Sequence, residues 1–377
     1  FTRFAIVCPG RTRGRARPGQ GHGTTIMGND SEALKALEDL MVGAHVRGQW
    51  QVGANRPENM KKSPDGKVWI DPIAVAKPYL WPWPVMQKIM EGACVALPES
   101  ATARRSLIYM NPALQRGTTQ NILAGIQVIQ PGEIAWAHRH TPNALRFTID
   151  GGNGVYTVVD GEVLPMQPYD LILTPGWCWH DHHNDTPGPA SWLDVLDVPF
   201  IAAINQNYYE ELGETVQERR NDTALPGGAL LRPLGSSRAP APRPYRYAWA
   251  ETRARLDALA GGAADPCDGI AVEYVNPLTG GAALATLACQ AQLLPPGFKG
   301  RRRRRGTSAV HFVVSGEGRI AFDDSNLDFS RHDGLAVPNW TWHSLVNTSK
   351  SEPALLFTVT DRPILDAFGL YREQIEA

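Results

Sequence analysis

Two histidines separated by one residue, and a third further along the chain, are the side chains best suited to binding a metal ion. His138 and His140 flank Arg139, and both imidazoles can reach one ion because every second side chain of a β-strand lies on the same face. His180 lies in PGWCWHDHHN (175–184), where a turn precedes a predicted strand. Three protein ligands leave coordination positions open, as catalysis at a metal requires. The predicted chemistry is therefore metal-dependent catalysis inside a β-barrel.

The surroundings of these histidines occur twice, which indicates two related domains in one chain. Residues 175–184 (PGWCWHDHHN) and 338–347 (PNWTWHSLVN) share the pattern P-x-W-x-W-H-x-x-x-N. A chain of 377 residues is long enough for two cores. In the second copy Arg303 and Arg305 replace the histidine pair and only His343 is left. We therefore expect no metal in the second domain.

Two other features of the repeat carry expectations about burial. The repeated tryptophans occur also in the copy without the histidine pair, so we expect them in the core; they are Trp177, Trp179, Trp340 and Trp342. The run 301–305 is all arginine, and such a run without interleaved aromatic residues predicts a solvated turn. If Arg303 and Arg305 instead point inward, they need carboxylate partners or an anionic ligand to offset burial.

Composition favours a mainly β protein of short strands joined by turns, because the chain has 30 Pro, 36 Gly and 11 Trp. A formal net charge of -1 gives no reason to expect nucleic acid or a membrane as partner, and a small molecule fits better. Five cysteines without paired spacing favour the reducing cytoplasm. No apolar run approaches the roughly 18 residues of a spanning helix.

The N-terminal part divides into a basic segment and a helix. Residues 1–26 are rich in Arg, Gly and Pro and contain no acidic residue, which predicts a disordered extension or an artefact upstream of a true start at Met27. An Arg-rich organellar transit peptide is the alternative. Apolar residues at helical spacing over 31–46 predict an amphipathic helix. The Pro-rich segment 72–84 should lie outside regular elements.

A second Pro-rich segment, 225–244, predicts the boundary between the two domains. From Pro363 the pattern returns to the helical period. The predicted domains are an extension (1–26), a helix and arm (27–110), a first β domain with the metal site (111–214), a linker (215–246), and a second β domain without metal that ends in a helix (247–377).

Four segments around the histidines carry a resemblance to a known family. They are AHRHTPNALRF (137–147), GVYTVVDGE (154–162), LTPGWCWHDHHN (173–184) and WLDVLDVPF (192–200). They resemble the gentisate 1,2-dioxygenase family and its relatives that cleave salicylate or 1-hydroxy-2-naphthoate. The span from Gly132 to Asn184 also resembles the two cupin motifs. The resemblance implies a bicupin, which is two double-stranded β-helix (jelly-roll) barrels, with an N-terminal helical arm, usually assembled as a homotetramer.

The family resemblance also implies Fe(II) on His138, His140 and His180. Many cupins carry a ligand glutamate shortly after the second histidine, but this chain has Ala144 and Leu145 there, so we expect a site of three histidines. Neutral imidazoles suit Fe(II), although Zn, Mn, Ni and Cu also accept three of them.

Further site residues follow from the same resemblance. Arg146 would bind the substrate carboxylate, and Arg104 or Arg105 would be a further arginine that contacts the substrate. His182 would be a histidine that lies beside the metal ligands. Alternatively, Arg146 forms only a salt bridge inside the protein, and His182 is only part of a polar strand end without a chemical role. His182 could transfer a proton during ring opening, and Asp194 or Asp197 could orient an imidazole.

The resulting hypothesis is an Fe(II)-dependent dioxygenase that opens the ring of an aromatic hydroxy-acid with O2, converting gentisate to maleylpyruvate. Salicylate and 1-hydroxy-2-naphthoate are the alternative substrates. Among other enzymes, a cupin isomerase or a dioxygenase of a diketone or thiol competes, and the missing glutamate and the presence of Arg146 argue against it. A non-catalytic cupin that binds a metal or ligand is the alternative from another class.

Overall fold

The computed structural model describes residues 32–46, 60–97, 105–219 and 245–376. The predicted extension 1–26, most of the linker and Arg104 lie outside these residues. The chain divides into two units, 1–70 and 71–377. In the first, the predicted N-terminal helix is confirmed as α1 (Glu32–Gly43), and β1 (Met60–Lys62) pairs antiparallel with β2 (Val68–Ile70). No helix in the described ranges is both long and apolar enough to cross a membrane.

The second unit contains two barrels. Its elements before the linker are β3 (Tyr79–Trp81), α2 (Trp83–Ala96), β4 (Arg105–Ile108), β5 (Leu123–Ile129), β6 (Ile134–His140), β7 (Ala144–Asp150), β8 (Val155–Val159), β9 (Glu162–Pro165), β10 (Leu171–Thr174), β11 (His180–Asn184), β12 (Ala190–Leu196), α3 (Val198–Ala203) and β13 (Tyr209–Glu211). Those after it are β14 (Tyr245–Tyr247), α4 (Trp249–Leu259), β15 (Ile270–Glu273), β16 (Ala288–Leu294), β17 (Arg303–Arg305), β18 (Ala309–Ser315), β19 (Gly318–Phe322), β20 (Asn326–Phe329), β21 (Gly334–Val337), β22 (His343–Asn347), β23 (Ala354–Thr360), α5 (Arg362–Ala367) and β24 (Glu373–Ile375).

Each barrel consists of a six-stranded and a five-stranded antiparallel sheet, and the predicted bicupin of two β-barrels is confirmed. The strand orders are β14-β10-β7-β12-β5-β4 and β13-β6-β11-β8-β9 in the first barrel, and β15-β16-β23-β18-β21-β3 and β20-β19-β22-β17-β24 in the second. The barrels exchange strands: β3, which precedes the first barrel, pairs with β21, and β14, which begins at the end of the predicted linker, pairs with β10. The domain boundaries at 110 and 246 stay a proposal, since pairing crosses both.

The main hydrophobic core lies between the two six-stranded sheets. Phe147 of β7 stacks on Phe357 of β23 with ring centroids 4.0 Å apart, and both rings are fully buried. Because strand side chains alternate, the neighbours of these core residues point into the barrels. Arg146 therefore faces the interior of the first barrel, on the opposite side of β7 from Phe147.

The prediction that 72–84 lies outside regular elements holds for 72–78 but is wrong for most of the remainder. β3 occupies 79–81, and α2 begins at Trp83 with a proline in its first turn. Proline is tolerated there because the first amides of a helix have no acceptor within the helix. β3 is an outermost strand, where a neighbouring proline interrupts no ladder. The helix predicted from Pro363 is short, because Gly369 follows it with a positive φ of 66° and the chain continues into β24.

Two buried aspartates link the barrels in equivalent ways. Asp197 follows β12 and accepts hydrogen bonds from Asn143 and from Thr286 of the second barrel. Asp361 follows β23 and accepts one from Asn121 of the first barrel at 2.8 Å. Burial raises the pKa of both carboxyl groups. In each barrel, the segment that precedes β5 or β16 is thus hydrogen-bonded to an aspartate of the other barrel.

Candidate metal centre

The three predicted histidines converge inside the first barrel. β6 and β11 are neighbouring antiparallel strands, and His180 is opposite His138 in their register. The ring centroids of His138 and His180 are 4.1 Å apart, and those of His140 and His180 are 4.9 Å apart. One ring nitrogen from each of the three lies within 4.8 Å of the others. A single ion can therefore contact all three imidazoles.

Hydrogen bonds fix the tautomer of all three rings. Each Nδ1 bonds a backbone carbonyl two residues away; the acceptors are Trp136 (2.9 Å) for His138, Pro142 (2.8 Å) for His140 and Cys178 (3.0 Å) for His180. A carbonyl only accepts, so Nδ1 carries the hydrogen and Nε2 carries the lone pair that binds a metal. The Nε2 of His180 is fully buried and has no hydrogen-bond partner in the described part of the chain. Buried polar atoms are rarely left unpaired, and a metal ion would complete this one.

Electrostatics keep His180 neutral. Burial lowers the pKa of His180 well below 6.5, and the nearby His138, Arg146 and His140 lower it further. A neutral imidazole is the form that binds a transition metal. The donor set of three neutral nitrogens fits a divalent transition ion, with positions left for other ligands.

Arg146 is buried in the first barrel, close enough to His180 to lower the pKa of that ring. Its guanidinium is 2% exposed and donates to the hydroxyl of Thr174. Asp194 is opposite Arg146 in the pairing of β12 with β7, and its Oδ1 is 3.7 Å from Nε of Arg146. The structure thus brings together Arg146, Asp194 and the histidines. Their roles toward a substrate stay predictions.

His182 also points into this barrel. It lies two residues after His180 on β11, is 1% exposed, and its ring centroid is 5.8 Å from that of His180. Its Nδ1 bonds the hydroxyl of Thr157, which itself donates to the carbonyl of Asp181 at 2.9 Å. Because that hydroxyl hydrogen is committed, Nδ1 of His182 donates and Nε2 is the basic nitrogen.

Two other predicted residues occupy separate surroundings. Arg105 is buried on β4, where it forms a salt bridge of 2.6 Å with Glu133 and donates to the carbonyl of Leu97. Asp197 lies in the link between the barrels. A substrate role for Arg105 and an orienting role for Asp197 remain untested predictions, and Arg104 is outside the described residues.

A row of polar side chains that was not predicted from the sequence lies in the first barrel, and its member Trp192 has its ring centroid 5.1 Å from that of His182. Gln127 and Thr148 are the register partners of Trp192 on either side of β12. Gln127 Nε2, Thr148 Oγ1 and Trp192 Nε1 are buried, and none has a hydrogen-bond partner within the described ranges. The internal repeat held a signal for Gln127, because Gln292 is its equivalent on β16; there the amide donates to Asp268 and accepts from Thr358.

The second barrel replaces the histidine pair with an ion cluster. Arg303 is opposite His343, as His138 is opposite His180, and it forms a buried ion pair with Asp268. Arg305 bonds the same carboxylate at 2.9 Å and Glu373 at 2.7 Å. The prediction of a solvated turn is therefore wrong for the last three residues of the run: Arg303–Arg305 form β17, and Asp268 is the carboxylate partner that inward-pointing arginines require.

The prediction that the repeated tryptophans belong to the core is also wrong. Arg139 lies between two inward-facing histidines, so its side chain points outward, and it is bracketed by Trp177 and Trp179 at 4.3 and 4.4 Å. Trp340 and Trp342 bracket Arg304 in the same way. The tryptophans thus cover an arginine on the outer face of each barrel by cation–π contact.

Replacing Asp268 with asparagine is expected to lower the free energy of unfolding by about 3–5 kcal/mol, because it leaves the buried Arg303 without its charge partner and Arg305 with Glu373 alone. Burial alone would raise the pKa of Asp268, but Arg303 and Arg305 outweigh it and lower the pKa to about 2. The carboxylate therefore stabilises the fold above its unfolded pKa of 3.8, and this contribution is lost as pH falls toward 2.

Urea unfolding of parent and variant at several pH values measures this effect, and the difference should shrink below about pH 4. Asp323→Asn is the matched control, because Asp323 pairs with Arg302 at the exposed surface and surface pairs contribute about 0–1 kcal/mol. Equal losses in the two variants would contradict the special role of Asp268.

Comparison with known proteins agrees with this architecture. The model of the cupin domain matches residues 125–196 and 291–360, one match in each barrel, so the fold and the repeat define a bicupin. A 1-hydroxy-2-naphthoate 1,2-dioxygenase of Nocardioides sp. is 39% identical over 91% of this chain and 88% of its own length. A gentisate 1,2-dioxygenase of Aquipseudomonas alcaligenes is 35% identical over 80% of this chain and 88% of its own.

A solved structure extends the likeness to three dimensions. The salicylate 1,2-dioxygenase of Pseudoaminobacter salicylatoxidans, in its adduct with gentisate, superposes with a TM-score of 0.76 at 31% identity, covering 94% of this chain and 96% of that one. The chain belongs to the gentisate 1,2-dioxygenase family, which consists of bicupin dioxygenases.

Proposed function

We propose that this chain is an Fe(II)-dependent 1,2-dioxygenase that opens the ring of an aromatic hydroxy-acid, with gentisate as substrate and maleylpyruvate as product. The observation that carries the proposal is the convergence of three Nε2 lone pairs beside a buried arginine. Fe(II), when bound, would supply one centre at which the hydroxy-acid and O2 are activated together. A homotetramer in the cytoplasm remains part of the proposal.

The side chains of this barrel would bind and orient the substrate. The planar fork of donors on Arg146 matches a carboxylate, and the interaction is strong where water is excluded. Gln127 offers a further buried donor in the neighbouring row. An aromatic acid held at its carboxylate places the adjacent hydroxyl group toward the histidines.

Proton transfer would fall to His182. Its Nδ1 is held by Thr157, so Nε2 is the nitrogen that accepts a proton from the substrate hydroxyl group and returns it during ring opening. Asp194, whose carboxylate lies 3.7 Å from Nε of Arg146, would offset part of the positive charge of the guanidinium and help to hold it in place.

The proposal is tested by anaerobic reconstitution with Fe(II), followed by oxygen uptake and absorbance scans with gentisate, salicylate and 1-hydroxy-2-naphthoate in parallel. We expect gentisate to give the highest kcat/KM. Preference for 1-hydroxy-2-naphthoate would support the second candidate, which the relative of that name with 39% identity favours. Tight iron binding with no oxygen uptake on any of the three would favour the non-catalytic cupin.

A further inference from the structure

The open side of the metal centre is formed by a short edge strand. β13 pairs with β6, and Tyr209 is opposite His140 while Glu211 is opposite His138. Directly opposed residues of an antiparallel pair carry their side chains on the same face. Tyr209 and Glu211 therefore extend the face of the two histidines outward from the barrel.

Contacts confirm this placement beside the ligands. The ring centroid of Tyr209 lies 5.6 Å from that of His138, with 34° between the ring planes. The Tyr209 hydroxyl donates to the Glu211 carboxylate at 3.4 Å, a long bond that leaves the carboxylate with accepting capacity. The two side chains thus form an aromatic wall and a hydrogen-bond acceptor next to the metal centre.

The side chains around the metal centre range from buried to exposed, which gives the site a buried end and a solvent-facing end. Arg146 is 2% exposed and His180 fully buried, whereas Tyr209 is 51% exposed. An aromatic acid whose carboxylate meets Arg146 presents its opposite ring edge to the exposed side. That edge would then face the pair formed by Tyr209 and Glu211, which lies beside the histidines.

We infer that Tyr209 and Glu211 form a distal subsite that selects aromatic hydroxy-acids carrying a second hydrogen-bond donor, a hydroxyl or amino group, on the edge remote from the carboxylate. The inference rests on the proposed function, because it takes Arg146 as the carboxylate end. The ring of Tyr209 packs against the substrate ring, and Glu211 accepts from the distal donor. A fused apolar ring would instead desolvate the Glu211 carboxylate without compensation.

The test compares gentisate, which has the distal hydroxyl group, with salicylate, which lacks it. Dissociation constants are measured anaerobically by fluorescence quenching on the iron-loaded protein, beside kcat, KM and iron content. For Glu211→Ala we expect gentisate to bind about tenfold more weakly, as for loss of one hydrogen bond to a charged group. Salicylate binding and iron content should stay near those of the parent protein. Tyr209→Leu should weaken both ligands.

Glu214→Ala is the matched control, since Glu214 is exposed a few residues beyond the paired strand, and it should change neither constant. Equal effects of Glu211→Ala on both ligands, or none on gentisate, would overturn the subsite. Loss of iron in Glu211→Ala would also overturn it, because the residue would then act on the fold. A parent protein that oxidises neither acid would refute the proposed function, whereas normal parent turnover with an unchanged ligand ratio would refute the subsite alone.

Discussion

Replacing His180 with alanine is expected to abolish metal binding and ring cleavage together. His180 supplies the buried Nε2 that no described side chain pairs, and it is the only one of the three nitrogens that comes from β11. Two remaining ligands on one strand hold an ion weakly, so affinity should fall by more than the roughly 10- to 100-fold that is usual when a mere supporting residue is lost. Iron content and oxygen uptake measured on the same preparation test this.

The internal repeat offers an unusually close control. His343 occupies the same place in the second motif, and its Nδ1 bonds the carbonyl of Thr341 at 2.9 Å, as His180 bonds Cys178. His343→Ala should leave the iron content and the turnover of the first barrel unchanged. Loss of iron in both variants, or retained turnover in His180→Ala, would contradict the assignment of His180 as a ligand.

Arg146→Lys is expected to lower kcat/KM for the aromatic acid by about 10- to 100-fold, mainly through KM, while iron content is retained. Lysine keeps the charge but loses the planar fork that matches a carboxylate, and a hydrogen bond between charged groups contributes about 1.5–3 kcal/mol. Steady-state kinetics with the best substrate of the panel, together with metal analysis, measure both quantities.

Asp194→Asn separates the two roles considered for Arg146. If Arg146 serves only an internal salt bridge, breaking the pair from either side should have the same effect on KM. If Arg146 binds the substrate carboxylate, Asp194→Asn should raise KM less than Arg146→Lys does, because the guanidinium is still present and loses only a group that helps to hold it in place. Matching increases in KM for the two variants would therefore count against substrate binding.

The metal centre was predictable because its geometry follows from local rules. The period of a strand places His138 and His140 on one face, and the repeated motif ties His180 to the neighbouring strand. Arg146 and His182 could be singled out only through the family resemblance, because a single arginine or histidine in a strand forms no sequence pattern that indicates a function. Asp194 was proposed together with Asp197 on chemical grounds, and its role stays a prediction; its closeness to Arg146 depends on the pairing of β12 with β7, which neither strand's sequence reveals.

The features that sequence reasoning missed depend on contacts between distant segments. Nothing near Arg303 indicates that Asp268 is its partner, because the two meet only when the segment before β15 folds over β17. Gln127 looks like an ordinary strand residue until its equivalent Gln292 shows a complete set of hydrogen bonds. The prolines of 72–84 suggested irregular chain, whereas an edge strand and a helix start tolerate them.

The exchange of β3 and β14 between the barrels has a consequence for the folding unit. A chain cut within the linker would give an N-terminal piece carrying a strand that belongs to the second barrel and a C-terminal piece carrying one that belongs to the first. Neither piece could complete its own sheet, and each would expose an unpaired edge that the other supplies. The two halves should therefore behave as complementary fragments that reassemble on mixing. In the intact chain, the two barrels should unfold together as one cooperative unit.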